Sequence, residues 1–93
     1  MIQIYERHMV GGERHEHIAE VKWRNVTSGN TGKNSRATMV KWLDKSDDNR
    51  AIVGDYPNAY VFVGTVYPDH SPAYIRTYAN GQWTDNLLAL PEY

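Results

Sequence analysis

No cysteine occurs among the 93 residues. A disulfide framework and a thiolate zinc site are therefore excluded, and the composition fits a reducing compartment, so a cytoplasmic setting is expected. No apolar run approaches the roughly 20 residues of a membrane-spanning helix. The opening stretch "MIQIYERHMV" carries charge by Glu6 and lacks the pattern of a signal peptide. No membrane partner is expected. Charge of one sign is also lacking: 10 Lys and Arg against 11 Asp and Glu leave a net charge of −1. That argues against a whole-chain basic field for duplex nucleic acid. Internal repeats and low-complexity segments are missing too.

What the chain does have is aromatic weight, with seven Tyr and three Trp. Such rings bury large areas at low entropy cost, so a small core can lean on them, and they equally suit binding surfaces. The length predicts a single domain, 1–93, that buries roughly 60–65% of its unfolded surface.

"MIQIYERHMV" and "HIAEVKW" read as strands, "RAIVG" and "AYVFVGTVY" as two more, the last apolar on both faces of its middle. "NVTSGNTGKN" is a run of turn formers and reads as a loop. "SRATMVKWLDK" predicts a helix capped by Ser35 or Asn34, with Met39, Val40 and Leu43 on its buried face. Asn80-Gly81 between "YIRTYA" and "QWTD" is a strong hairpin signal. "NLLALPEY" is apolar and is expected to pack on the sheet, with Asp85 or Asn86 as a cap. The expected class is α+β: a mostly antiparallel sheet of about five or six strands with one helix packed on a face.

Three of the four histidines fall in "RHMVGGERHEH". With Gly11-Gly12 as a two-residue hairpin loop, His8 faces His15 and Glu6 faces His17. Glu6, His8, His15 and His17 then line one face as a set of metal donors. Such a tip is solvated and lacks the supporting shell that orients ligands, so no bound metal is expected and His15 reads as a surface residue. A metal-dependent hydrolase built on these histidines ranks last among the functions considered. No nucleophile elbow is present. The segment "SGNTGKNSRAT" does not have P-loop spacing. Lys33 and Arg36 beside a helix start are nevertheless candidates for holding an anion.

In the C-terminal block, alternation puts Tyr74, Arg76 and Tyr78 on one side of a strand and Ile75 on the core side. Trp83 stands across the turn. A guanidinium beside rings can hold a phosphate while the rings stack a base. This block, with Tyr74-Ile75-Arg76-Thr77, Asn80-Gly81 and Asn86-Leu87-Leu88-Ala89-Leu90-Pro91, resembles the ending of a family of small bacterial and phage proteins of unknown function. The resemblance implies a small cytoplasmic or phage-encoded domain and no particular activity. In size, aromatic richness and lack of a catalytic motif the chain is also similar in style to small oligomeric phage proteins that sequester nucleotide signals. The expected function is thus a non-enzymatic binding module for a small anionic or nucleotide-derived ligand, without cofactor and as a homo-oligomer. Its expected ligand residues are Lys33, Arg36, Tyr74, Arg76, Tyr78 and Trp83. The alternative is a protein-interaction module.

Overall fold

A computed structural model describes all residues, 1–93. Its elements are β1 (Ile2–Met9), β2 (Ile18–Asn25), β3 (Thr31–Ser35), α1 (Arg36–Lys45), β4 (Ala51–Asp55), β5 (Ala59–Val66), β6 (Tyr74–Ala79) and β7 (Gln82–Thr84). The strands form one sheet in the order β3-β2-β1-β4-β5-β6-β7. The α+β class stands, with two corrections. There are seven strands rather than five or six, and the sheet is mixed. β1 and β4 run parallel, pairing Ile2 with Ala51 and Gln3 with Ile52.

The extra strand is β3, inside the run read as a loop. It pairs with β2 from Glu20↔Ser35 to Arg24↔Thr31. Turn-forming composition was overridden because an edge strand needs pairing on one side only, and polar residues suit an edge. The preceding turn is built as expected of such residues: Asn25 Oδ1 accepts from the backbone N–H groups of Thr27 and Ser28. The helix forms where predicted. Ser35 caps it, its Oγ accepting from Thr38 N. α1 is the crossover that carries the chain to β4, which is what permits the parallel pair.

Inward-facing residues alternate along the strands: Ile2 and Ile4, Ala51 and Val53, Val63, then Ile75 and Thr77. With Ile18, Val21, Met39 and Leu87, the apolar members form one core cluster, against which Val40, Trp42 and Leu43 of α1 pack. The helix face is the one predicted. Thr77 is fully buried but satisfied, its Oγ1 lying 2.7 Å from Thr84 Oγ1. Asn80 and Gly81 turn β6 into β7 with φ of 54° and 78°, the left-handed pair that a tight hairpin requires.

β4 accompanies β1 for only two residues. Beyond that, the C-terminal tail takes the vacant edge: Arg7 N donates to Pro91 O at 3.0 Å and Tyr93 N to Arg7 O at 2.9 Å. The tail packs as expected through Leu87. Asp85, however, does not act as a side-chain cap, because its carboxylate is taken by Arg76 at 2.9 Å. No helix is long and apolar enough to cross a membrane.

Candidate functional site on the outer face of the sheet

The face of the sheet away from α1 divides in two. Cross-strand pairing sets Arg24, Gln3, Ile52, Phe62, Tyr78 and Trp83 in one row from β2 to β7. On the β4–β7 half, five rings follow one another in contact. Tyr56 lies 5.4 Å from Tyr60, Tyr60 5.6 Å from Phe62, Phe62 6.4 Å from Tyr78, and Tyr78 5.9 Å edge-on from Trp83. These are the separations and tilts that ring quadrupoles favour. Gly64 is the floor beneath two of them. A Cβ there would stand 3.1 Å from Tyr78 Cε1 and 3.3 Å from Trp83 Cη2, so the absent side chain lets the rings lie down on β5. Tyr56, Tyr60, Tyr78 and Trp83 keep 36–46% of their surface exposed. Ile52 is buried yet stands outside the core cluster, as its outward register requires. A pocket of about 260 Å³ opens where Tyr78, Gly81, Gln82 and Trp83 meet.

The β3-β2-β1 half is polar and internally paired. Lys22 Nζ lies 3.5 Å from Glu6 and 4.3 Å above the Tyr93 ring. Tyr93 donates its hydroxyl to Glu20 at 2.8 Å and tilts against the His8 ring at 5.4 Å. Burial, and then the Glu20 carboxylate, push the Tyr93 phenol well above its ordinary range. Lys33 Nζ reaches Glu20 at 4.0 Å.

Of the residues expected to bind a ligand, the structure brings together Tyr78 and Trp83. Tyr74 shares their side of β6 but is half-buried and outside the ring contacts. Arg76 is engaged within the fold, its Nε donating to Thr84 O at 3.1 Å and its Nη2 to Asp85 at 2.9 Å. Arg36 donates to the Glu16 carbonyl. Lys33 sits on the β3 edge, in a strand rather than in a glycine-rich loop. The three cations therefore do not converge on the rings.

The histidine arrangement is corrected outright. Bulges between Ile4 and Glu6 and between His8 and Met9 shift the register, so Glu6 pairs with Lys22 and His8 with Glu20. The connection is not a two-residue loop. It runs from Val10 to His17 and ends in a 3-10 turn, His15–His17. Gly12 is needed because the His17 ring lies against it, where a Cβ would meet Nδ1 at 2.6 Å. His8 turns to the Tyr93 carbonyl, and His17 Nδ1 accepts from Arg14 N at 3.3 Å. His15 is not a surface residue. It is 7% exposed and lies against β6, its Nε2 3.7 Å from Asp85 and without a hydrogen-bond partner. Burial, and then the Arg76 guanidinium, hold its pKa below the ordinary 6.5, against the opposing pull of Asp85 and Glu16. No group of three or more His, Asp or Glu side chains gathers as a metal site.

Tyr56, Tyr60 and Phe62 were missed. The signal was present: in "AYVFVGTVY", Tyr60, Phe62 and Gly64 share one strand face, with two rings beside a glycine that admits a third. Tyr93 acts at long range across the sheet and left no local signal.

No curated protein and no solved structure matches the chain. Residues 3–91 match the family described as "Protein of unknown function (DUF3892)", so the resemblance seen in the C-terminal block extends over nearly the whole sequence, and the chain belongs to that family.

Proposed function

We propose that this protein is a non-enzymatic binding module that grips a protein partner with the aromatic half of its outer face. The observation that carries this reading is the unbroken run of five rings from Tyr56 to Trp83, four of them more than one-third exposed. Tyr and Trp dominate the residues that supply binding energy at protein interfaces, because they bring area and a polar tip at little entropy cost. A phosphate-gripping site is less favoured, since Arg76, Arg36 and Lys33 are engaged elsewhere. A small nucleotide-derived ligand stays as a second reading on the strength of the pocket at Tyr78 and Trp83, where a planar ring could stack. The metal-dependent hydrolase is set aside, because its histidines point to three different places.

The test is affinity capture from the cells that make the protein, with wild type and with Tyr78→Ala/Trp83→Ala. The expected outcome is a stoichiometric protein held by wild type and lost by the double variant, with the fold intact by circular dichroism. Equal capture by both would contradict it. A nucleotide released from denatured wild type would shift the assignment to the second reading. A second copy as the partner would register as a dimer in sedimentation that the double variant abolishes.

A further inference from the structure

One edge of β5 has a strand beside it for only half its length. β4 pairs with β5 only from Asp55↔Ala59 to Ile52↔Phe62. At Arg50 the chain swings toward β1, where Arg50 O accepts from Ile2 N. β6 continues to cover the other edge of β5 as far as Val66↔Tyr74. From Gly64 to Val66, the edge facing away from β6 therefore has no ladder, and no backbone bond outside the ladders reaches these residues. An uncovered edge is a template for another strand.

A cleft of about 450 Å³ opens along this edge. That lies within the roughly 300–1,000 Å³ of pockets that take ligands. Its outer wall is Phe62 and Tyr78, members of the aromatic run. Its opposite wall is the end of α1 and the loop after it, with Asp44, Asp47 and Arg50. The Tyr67 hydroxyl donates to Asp44. Neither Asp44 nor Asp47 belongs to any ion pair of the structure. The Arg50 guanidinium meets only the Asp47 carbonyl, at 3.3 Å. Two carboxylates against one guanidinium leave this wall negative.

We infer that β5 accepts an extended peptide of the protein partner as an added strand along Gly64–Val66, with Lys or Arg at alternate positions. Side chains of an extended peptide alternate sides. One set meets Phe62 and Tyr78, and the next meets Asp44 and Asp47. The main chain supplies the pairing, and the two walls supply the selection for apolar and basic side chains. Gly64 keeps the outer side of the edge low. The inference rests on the protein-binding reading above and gives it a partner chemistry.

The test is NMR titration of the ¹⁵N-labelled full chain with three capped heptapeptide sets. The first alternates Val or Tyr with Lys, the second replaces Lys by Glu, and the third is the Lys set with N-methylated backbone amides. The Lys set is expected to shift the amides of Gly64, Thr65 and Val66 and to slow hydrogen exchange at those whose N–H points away from β6. Affinity is expected to fall by about ten-fold or more, a change of about 1.4 kcal/mol, for the Glu set, for the N-methylated set, and for the Lys set on Asp44→Asn/Asp47→Asn. That variant changes exposed side chains and should keep the wild-type melting temperature. The inference is overturned if no Lys peptide moves residues 64–66 below about 1 mM, a contact worth under about 4 kcal/mol. Equal binding of Glu and Lys peptides overturns it as well. So does protection of these amides that grows with protein concentration alone, which would mark a second copy on the edge. Shifts confined to Tyr60, Tyr78 and Trp83 would refute the added strand and leave the aromatic-face reading in place.

Discussion

The two halves of the outer sheet face share strand geometry and differ in what their side chains still lack. Around β1 and β2, Glu6, Lys22, Glu20, Lys33, His8 and Tyr93 satisfy one another, and the tail covers the edge of β1. Around β5 to β7, rings touch rings and stop, leaving Tyr60, Tyr78 and Trp83 partly in water with no polar network above them. The charged half is the closed one and the aromatic half is the open one. Exposed apolar surface whose cost the fold does not recover is what marks a binding face.

The largest expected effect treats both halves alike. Leu87 is fully buried in the core that lies behind both. Leu87→Ala should cost about 2–5 kcal/mol in urea unfolding. A cost below about 1 kcal/mol would show that the tail does not belong to the core.

The comparison sharpens with one ring from each half. Tyr93→Ala removes the contact to His8, the ring beneath Lys22 and the bond to Glu20. It should cost about 1–3 kcal/mol in the same assay. Trp83→Ala removes a ring that is 46% exposed on a three-residue edge strand, and should cost about 1 kcal/mol or less while abolishing partner capture. If Trp83 proved the costlier of the two, the aromatic half would be structural.

A smaller effect concerns the junction where His15, Asp85 and Arg76 tie the β1–β2 connection to β6 and the tail. The folded state holds His15 below its ordinary pKa. The unfolded chain therefore binds a proton more readily, and this contribution to stability is present above about pH 6.5 and declines as the pH falls below it. Melting temperatures from pH 7.5 to 5 should fall more steeply for wild type than for His15→Gln. Parallel curves would contradict the assignment.

The smallest effect is at the closed half. Glu6 and Lys22 lie 3.5 Å apart with side chains about one-third exposed. Glu6→Gln should cost about 0.2–1 kcal/mol, less in high salt. A salt-independent cost would mean that the pair is not held by charge.

Local physics made much of this molecule legible in advance. Ser35 at the cap, Met39 and Leu43 on the helix face, Asn80-Gly81 at the turn and Ile75 toward the core all follow from propensity and period. The histidine register did not, because the connection from β1 to β2 runs from Val10 to His17, with one bulge at Tyr5 in β1 and one at Ala19 in β2, and nothing in "GGERHEH" announces this. β3 was hidden because an edge strand borrows its pairing from β2. The site was half legible. Tyr78 and Trp83 were found through their turn, whereas Tyr56, Tyr60 and Phe62 join them only through strand order. Arg76 was placed on the correct side of its strand, but its partner Asp85 lies beyond the hairpin and takes up the guanidinium that was expected to meet a phosphate.

The most direct test of an open aromatic half and a closed polar half is site-specific photo-crosslinking in the cells that make the protein. A benzoylphenylalanine would replace Trp83 in one version, Tyr60 in a second, and Lys22 or Lys33 in the controls. A discrete protein adduct is expected from positions 83 and 60 and none from 22 and 33. Equal adducts from both halves, or adducts from 22 and 33 alone, would contradict it.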